Sequence, residues 1–82
     1  MANQENAWYK IMQEVDFKLE GEYIELLQLL KAVDIAQTGG HAKMIVDDEQ
    51  VLRNGILELR RRAKIKRGEK VKIGEDIVVN VI

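Results

Sequence analysis

The sequence feature that most constrains the fold is a short run of apolar residues at helical spacing. The run consists of Tyr23, Leu26, Leu27, Leu30 and Val33. Spacings of three and four place these side chains on one face of a helix, and that face has to be buried against other elements. A chain of 82 residues has room for one hydrophobic core. We therefore expect a single core, with this helix as one of its walls.

Patterns on either side of this helix predict a strand before it and a second helix after it. Residues 15–19 alternate between apolar and polar side chains, as in a half-buried strand, and Gly21 then supplies a turn. Thr38 stands where a hydroxyl could cap the free N–H groups of a second helix, which we expect to run to about Glu49. The first half is therefore predicted to be strand, helix, helix.

Short strands separated by turns are predicted for the second half. Residues 51–53 and 56–59 flank Asn54-Gly55, a strong hairpin signal because both turn residues tolerate positive φ. Two more strands follow polar turns that contain glycine, at residues 71–73 and 77–82. This order predicts an α+β fold in which two packed helices lie against a small antiparallel sheet of short strands.

The composition excludes several kinds of protein. Cysteine is absent, which rules out disulfides, thiolate nucleophiles and cysteine-based zinc sites, and His41 is the sole histidine. The longest apolar runs have three residues, far too few for a membrane span or a signal peptide, and a cytoplasmic location follows by default. The sequence lacks a plausible nucleophile, a set of metal-ligating residues and a nucleotide-binding glycine motif, so we expect no enzyme activity and no cofactor.

The charge is segregated along the chain. Residues 1–50 carry four basic and ten acidic residues, whereas residues 51–82 carry nine basic and four acidic ones. The densest basic run lies between Arg60 and Arg67. Such a run is a solvated face in many proteins, but arginine also makes bidentate contacts with phosphate, and little nearby in the sequence offsets the repulsion except a bound anion. The run is therefore interpreted as a binding segment for a polyanion.

Several local motifs occur in an order that is typical of one known family. They are the leucine-rich helix with Leu26 and Leu30, Thr38-Gly39-Gly40-His41-Ala42-Lys43, Val51-Leu52-Arg53-Asn54-Gly55, the basic segment from Glu58 to Ile65, and Lys66-Arg67-Gly68-Glu69 before Val71. The stretch from Glu25 to Val71 resembles the alpha-L RNA-binding domain, the fold typified by small-subunit ribosomal protein four. More narrowly, it is similar to the small stand-alone bacterial branch of that family.

The resemblance implies an alpha-L fold and a module, not an enzyme, that binds structured RNA, with ribosomal RNA or the ribosome as one candidate partner. We expect one domain over residues 15–82, after an extension over residues 1–14 that is either a short helix or disordered. We expect a monomer. The family usually has an arginine at the start of the first helix and another just after the Ser or Thr, both facing RNA. Glu25 and Gly39 stand in those places.

Two segments contain the predicted RNA contacts. The candidate residues are Thr38, Gly39, Gly40, His41, Lys43, Arg53, Asn54, Arg60, Arg61, Arg62, Lys64 and Lys66. A helix start with no bulky side chains would let a phosphate approach the backbone N–H groups, although a capping role for Thr38 would explain the same motif. His41, at the third helical position, is interpreted as a partial cap or an RNA hydrogen bond, because it has no second ligand with which to hold a metal.

The four aromatic residues are Trp8, Tyr9, Phe17 and Tyr23, all on the N-terminal side of the candidate contacts. This placement disfavours base stacking and favours recognition of structured RNA by its shape and phosphates. Phe17 and Tyr23 are interpreted as core residues. The alternative hypothesis is a protein-interaction module that has kept the fold without RNA binding, because Glu25 and Gly39 replace two typical arginines and the first half is acidic.

Overall fold

The computed structural model describes residues 13–82 and contains two helices and seven short strands. The elements are β1 (Gln13–Phe17), β2 (Ile24–Glu25), α1 (Leu26–Ala32), α2 (Gly39–Asp47), β3 (Val51–Arg53), β4 (Ile56–Leu57), β5 (Lys64–Ile65), β6 (Lys70–Ile73) and β7 (Ile77–Val81). The predicted extension over residues 1–14 lies outside the described residues except for its last two, which begin β1. In the part of the chain that is described, neither helix has the length and apolar character needed to cross a membrane.

The main sheet has five strands in the order β1-β7-β6-β3-β4. β6 pairs antiparallel with both β7 and β3, and β3 forms the predicted hairpin with β4. The prediction of an antiparallel sheet was wrong at one edge, where β1 runs parallel to β7 with Val15 opposite Val79. Alternation of side chains specifies which face of a strand is buried but not its direction. Along the chain, both helices and the other strands come between β1 and β7. A connection of this length permits the two strands to pair in parallel.

A second, two-stranded sheet joins β2 to β5, with Glu25 opposite Lys64. The first helix was predicted to include Tyr23, but α1 begins at Leu26. The two residues before Leu26 form β2 and pair with β5 instead of joining the helix. The backbone carbonyls of Ala63 and Arg61 accept hydrogen bonds from the amides of Leu26 and Leu27. The basic segment is thus attached to the start of α1.

The core lies between the helices and one face of the main sheet. Its fully buried large side chains are Leu26, Leu29, Leu30, Val46, Val51, Ile65, Val71, Val79 and Val81. The buried face of α1 includes Leu29, which the predicted helical face omitted, whereas Leu27 and Val33 are only partly buried. Phe17 packs partly buried against this core, but Tyr23 is 42% exposed, so its interpretation as a core residue was wrong.

Candidate functional site

An open groove of about 570 Å³ lies between the end of β3 and the segment that leads into β5. Five of its six lining residues are basic, and the set consists of Arg53, Arg60, Arg62, Ala63, Lys64 and Lys66. We call it the basic groove. Ala63 and Ile65 are buried while Lys64 and Lys66 are exposed, so the alternation of an extended chain turns both lysines outward.

The three consecutive arginines each make a bidentate ion pair with a different carboxylate. Arg60 binds Glu58, with Nε 3.0 Å from Oε2. Arg61 binds Asp47 at the end of α2, with Nη2 2.6 Å from Oδ2. Arg62 binds Glu25 at the start of α1, with Nε 3.3 Å from Oε1. The expectation that little except a bound anion offsets the charge of this run was therefore wrong, because Glu58 pairs with Arg60 and the fold brings in Asp47 and Glu25 from elsewhere in the sequence.

These ion pairs hold the guanidinium groups without consuming all their donors. Arg60 and Arg62 use Nε and Nη2, and within residues 13–82 the Nη1 atom of neither makes a hydrogen bond. Their side chains stay 74% and 79% exposed. A guanidinium has five N–H groups, so each of the two can still donate to a phosphate at the mouth of the groove.

Arg61 is not among the residues that line the basic groove, and it pairs with Asp47 at the end of α2. The hydrogen bond from Arg61 lowers the pKa of Asp47, and the charge of Lys43 contributes in the same direction. Asp47 therefore pairs with Arg61 and lies one helical turn after Lys43 on α2. The three arginines are thus divided, because Arg60 and Arg62 line the groove whereas Arg61 pairs with Asp47 at the end of α2.

Arg53, which is half-buried, and Asn54, which is exposed, both make hydrogen bonds to other parts of the protein. The Arg53 side chain is only 19% exposed, and its guanidinium donates to both carboxylate oxygens of Glu69, to Glu58 and to the backbone carbonyl of Lys64. Asn54 has a φ of 52° and its side chain accepts a hydrogen bond from the Lys70 amide at 2.9 Å. Both residues hold the hairpin against the turn before β6, and Arg53 forms the inner wall of the groove.

Two buried or half-buried carboxylates stabilise this arrangement. Hydrogen bonds from the Arg60 side chain and amide and from Arg53 lower the pKa of Glu58 to about 2, against the effect of its burial. Burial acts to raise the pKa of Glu69, but the Lys66 amide and Arg53 together outweigh it and leave the pKa lowered. Both carboxylates are therefore ionised at neutral pH and keep the arginines in place.

The start of α2 has the capping geometry predicted for Thr38. Its hydroxyl accepts a hydrogen bond from the His41 amide at 3.1 Å, and Nδ1 of His41 accepts one from the Gln37 amide at 3.3 Å. A Cβ atom on Gly39 would meet nothing within 4 Å, and one on Gly40 would meet only the Thr38 hydroxyl at 3.9 Å. Neither packing nor a positive φ requires these two glycines, which leave the start of α2 without side chains at its first two positions.

The sequence patterns missed Tyr23 and the acidic partners of the arginines. The pairing of β2 with β5 brings Tyr23 beside Lys64, whose Nζ lies 5.0 Å from the centre of the ring. The sequence did contain a signal that Tyr23 lies outside the first helix, because the stretch that resembles the family starts only at Glu25. No group of three or more His, Asp or Glu residues among residues 13–82 could hold a metal ion.

Comparison with known proteins adds two findings. The family model of the S4 domain matches residues 17–82. Among eleven matching chains of solved structures is the solution structure of YbcJ from E. coli, described as revealing an alpha-L motif involved in RNA-binding. The two chains are 28% identical with a TM-score of 0.56, and the match covers 87% of each. No curated protein matches the sequence.

Proposed function

The chain belongs to the S4 domain family, and from this premise we propose that it is an RNA-binding module that recognises structured RNA through the basic groove. The observation that carries the proposal is the lining of the groove, in which five of six residues are basic although the whole chain has a net charge of −1. A concentration of one charge in a nearly neutral protein favours a polyanionic ligand. YbcJ, the structural relative described as RNA-binding, supports the same class of ligand.

In this proposal the exposed arginines and lysines of the groove contact phosphates. Arg60 and Arg62 donate through the N–H groups that their carboxylate partners leave free, while Lys64 on β5 and Lys66 just after it contribute point charges. The ion pairs already restrict the side-chain rotamers, so less conformational entropy is lost when RNA binds. Arg53 shapes the groove from within.

A second group of contacts lies on α2. Gly39 and Gly40 leave the N–H groups at the helix start open, and an anion is favoured there by the helix dipole. Lys43 is exposed one turn further on, with Arg61 nearby. Thr38 and His41 cap the helix and present polar groups on the same surface. This helix start would position an RNA backbone that also crosses the groove.

Within the class of structured RNA, we propose ribosomal RNA as the target, bound by a cytoplasmic monomer whose domain comprises residues 15–82. Ultraviolet crosslinking in cells followed by sequencing of the bound RNA tests this choice. Enrichment of one ribosomal RNA segment would support it, and enrichment of unrelated transcripts at the same level would contradict it.

The groove assignment is tested with the double variant Arg60→Ala/Arg62→Ala. We expect about a tenfold or greater loss of affinity for a panel of folded RNAs, and a salt dependence shallower by about two in log Kd against log salt. The matched control is Lys18→Ala/Lys72→Ala, which removes the same charge from exposed positions outside the groove. Equal salt slopes for the wild type and the Arg60/Arg62 variant would contradict the assignment.

One observation favours a second candidate, a protein-interaction module. Three large apolar side chains near the groove are exposed, Ile56 at 73%, Leu57 at 41% and Leu59 at 55%. Exposed apolar clusters commonly mark protein contacts. Pull-down from lysate with and without nuclease separates the candidates, because a protein partner retained after RNA removal favours interaction, whereas loss of all partners favours RNA binding.

A further inference from the structure

Tyr23 has an exposed ring among the cations of the basic groove. It lies immediately before β2, and the pairing of β2 with β5 places it beside Lys64, whose ammonium is 5.0 Å from the ring centre. The pKa of Arg62 is raised chiefly by Glu25 and to a small extent by Tyr23, which places the phenol near Arg62 as well. Both cations line the groove. The ring is therefore continuous with the proposed phosphate-binding surface.

The fold does not need this ring. Tyr23 is 42% exposed and is not part of the core or of the residues packed against it. Its hydroxyl makes no hydrogen bond with any residue in the described range 13–82. By contrast, the next residue, Ile24, packs against the core and pairs with Ile65. The contact with Lys64 at an exposed site is worth only about a two- to fivefold change in an equilibrium.

We infer that Tyr23 is a stacking platform for an unpaired nucleobase, and that the ammonium of Lys64 moves from the ring to the phosphate of the same nucleotide. This inference rests on the proposed RNA-binding function and specifies the kind of RNA. Stacking of a base on an aromatic ring strengthens binding by about 5- to 150-fold, which exceeds the Lys64 contact that it replaces. Bases inside a duplex do not offer a free face, so the preferred RNA carries a bulged or loop nucleotide.

The spatial position of Tyr23 bears on whether the site can stack a base. In the sequence, all four aromatic residues precede the candidate contacts, which by itself disfavours stacking. The sequence separation between Tyr23 and Lys64 does not matter once the two short strands pair, because Lys64 is opposite Glu25 in that sheet. One aromatic ring flanked by cations suits a single flipped base and not a continuous single strand.

The test compares two RNA hairpins that differ only by one bulged 2-aminopurine nucleotide. The wild type is expected to bind the bulged hairpin more tightly and to quench its fluorescence. Tyr23→Ala should weaken binding of the bulged hairpin by 5- to 150-fold, abolish the quenching and leave the paired hairpin within about twofold. Tyr23→Phe keeps the ring and should behave as the wild type. Circular dichroism and thermal unfolding check that each variant is folded.

Three results would overturn the inference. One is a wild type that does not distinguish the two hairpins, and another is a Tyr23→Ala variant that binds the bulged hairpin as the wild type does. A third is equal weakening on both hairpins, which would mean that the ring only holds Lys64 in place. If Tyr23→Ala binds RNA with the affinity of the wild type while Arg60→Ala/Arg62→Ala binds RNA weakly, the inference fails and the proposed function stands. If both variants bind as the wild type does, the proposed function itself is contradicted.

Discussion

Glu58 is a buried carboxylate at the junction of the hairpin and the basic groove. Its two oxygens receive hydrogen bonds from Arg53 and from the side chain and amide of Arg60. The residue therefore connects the half-buried guanidinium that holds the hairpin to an exposed one that is proposed to contact RNA. A carboxylate with so many donors strongly prefers its ionised form.

The lowered pKa of Glu58 predicts a loss of stability in acid. Its pKa is about 2 in the folded chain and 4.5 ordinarily, so its contribution is complete above pH 4.5 and disappears as the pH falls from 4.5 to 2. After allowance for the exposure of Arg60, we expect Glu58→Gln to lower the free energy of unfolding by about 2 kcal/mol at pH 7. The difference between the two proteins should shrink towards pH 2.

Urea denaturation of both proteins at pH 7, 4, 3 and 2.5 measures this difference. Glu75→Gln, at an exposed turn position, is the control. Its free energy of unfolding should change with pH in parallel with that of the wild type. A constant gap between wild type and Glu58→Gln over the whole pH range would show that the ion pairs with Arg53 and Arg60 do not depend on the charge of this carboxylate.

At the residue scale, the sequence predicted the positive charges of the site but not their surroundings. The basic run around Arg60 is visible in the chain itself, and so is the cap at Thr38. The carboxylates that pair with Arg61 and Arg62 are 14 and 37 residues away, and only the folded chain brings them together. Tyr23 was misplaced for the same reason, since its neighbour Lys64 belongs to a strand of two residues.

Among the elements, α2 is the one in which substitutions are expected to raise stability and lower RNA affinity at the same time. Ala favours a helix by up to about 1 kcal/mol over Gly, and a Cβ atom fits at Gly39 and Gly40 without a clash. We expect Gly39→Ala and Gly40→Ala each to raise the free energy of unfolding by about 0.5 kcal/mol while weakening RNA binding several-fold. The added methyl groups would stand where a phosphate is proposed to approach the backbone.

Thermal unfolding and RNA titration of the same preparations check this prediction. Gln28→Ala, at an exposed position on α1, serves as the control for a helical substitution away from the proposed contacts. Stabilised variants with unchanged RNA affinity would remove the start of α2 from the proposed interface, while leaving the groove untouched.

Elements with strong local signals were predicted well and those formed by distant pairing were not. The Asn54-Gly55 hairpin and the start of α2 follow from turn and capping chemistry that acts over a few residues. β2 and β5 have two residues each, so neither shows a periodicity, and both exist because they pair with each other. The direction of β1 depends likewise on its partner β7.

For the whole molecule, one small core supports all of these surfaces. Leu30 is fully buried in α1, and its backbone carbonyl accepts hydrogen bonds from Ile35 and Ala36 at the turn that follows. We expect Leu30→Ala to lower the free energy of unfolding by about 2 to 5 kcal/mol, because a cavity adds to the lost burial. This is a large share of the roughly 5 to 15 kcal/mol typical of a domain.

Urea denaturation of Leu30→Ala measures this effect against Leu59→Ala, which shortens an equivalent side chain at a position that is 55% exposed. The control should change the free energy of unfolding by about 0.5 kcal/mol or less. Similar values for the two variants would mean that α1 does not form a wall of the core.

The parallel pairing of β1 with β7 has a consequence for the order in which the chain can fold during synthesis. The side-chain hydrogen bond between Asp16 and Asn80 joins residues 64 positions apart, and contacts of such separation form late. At typical elongation rates the first strand waits roughly 3 to 13 seconds for its partner to be made. During that interval its backbone N–H and C=O groups are open to other strands, so a nascent chain is most prone to aggregate before β7 leaves the ribosome.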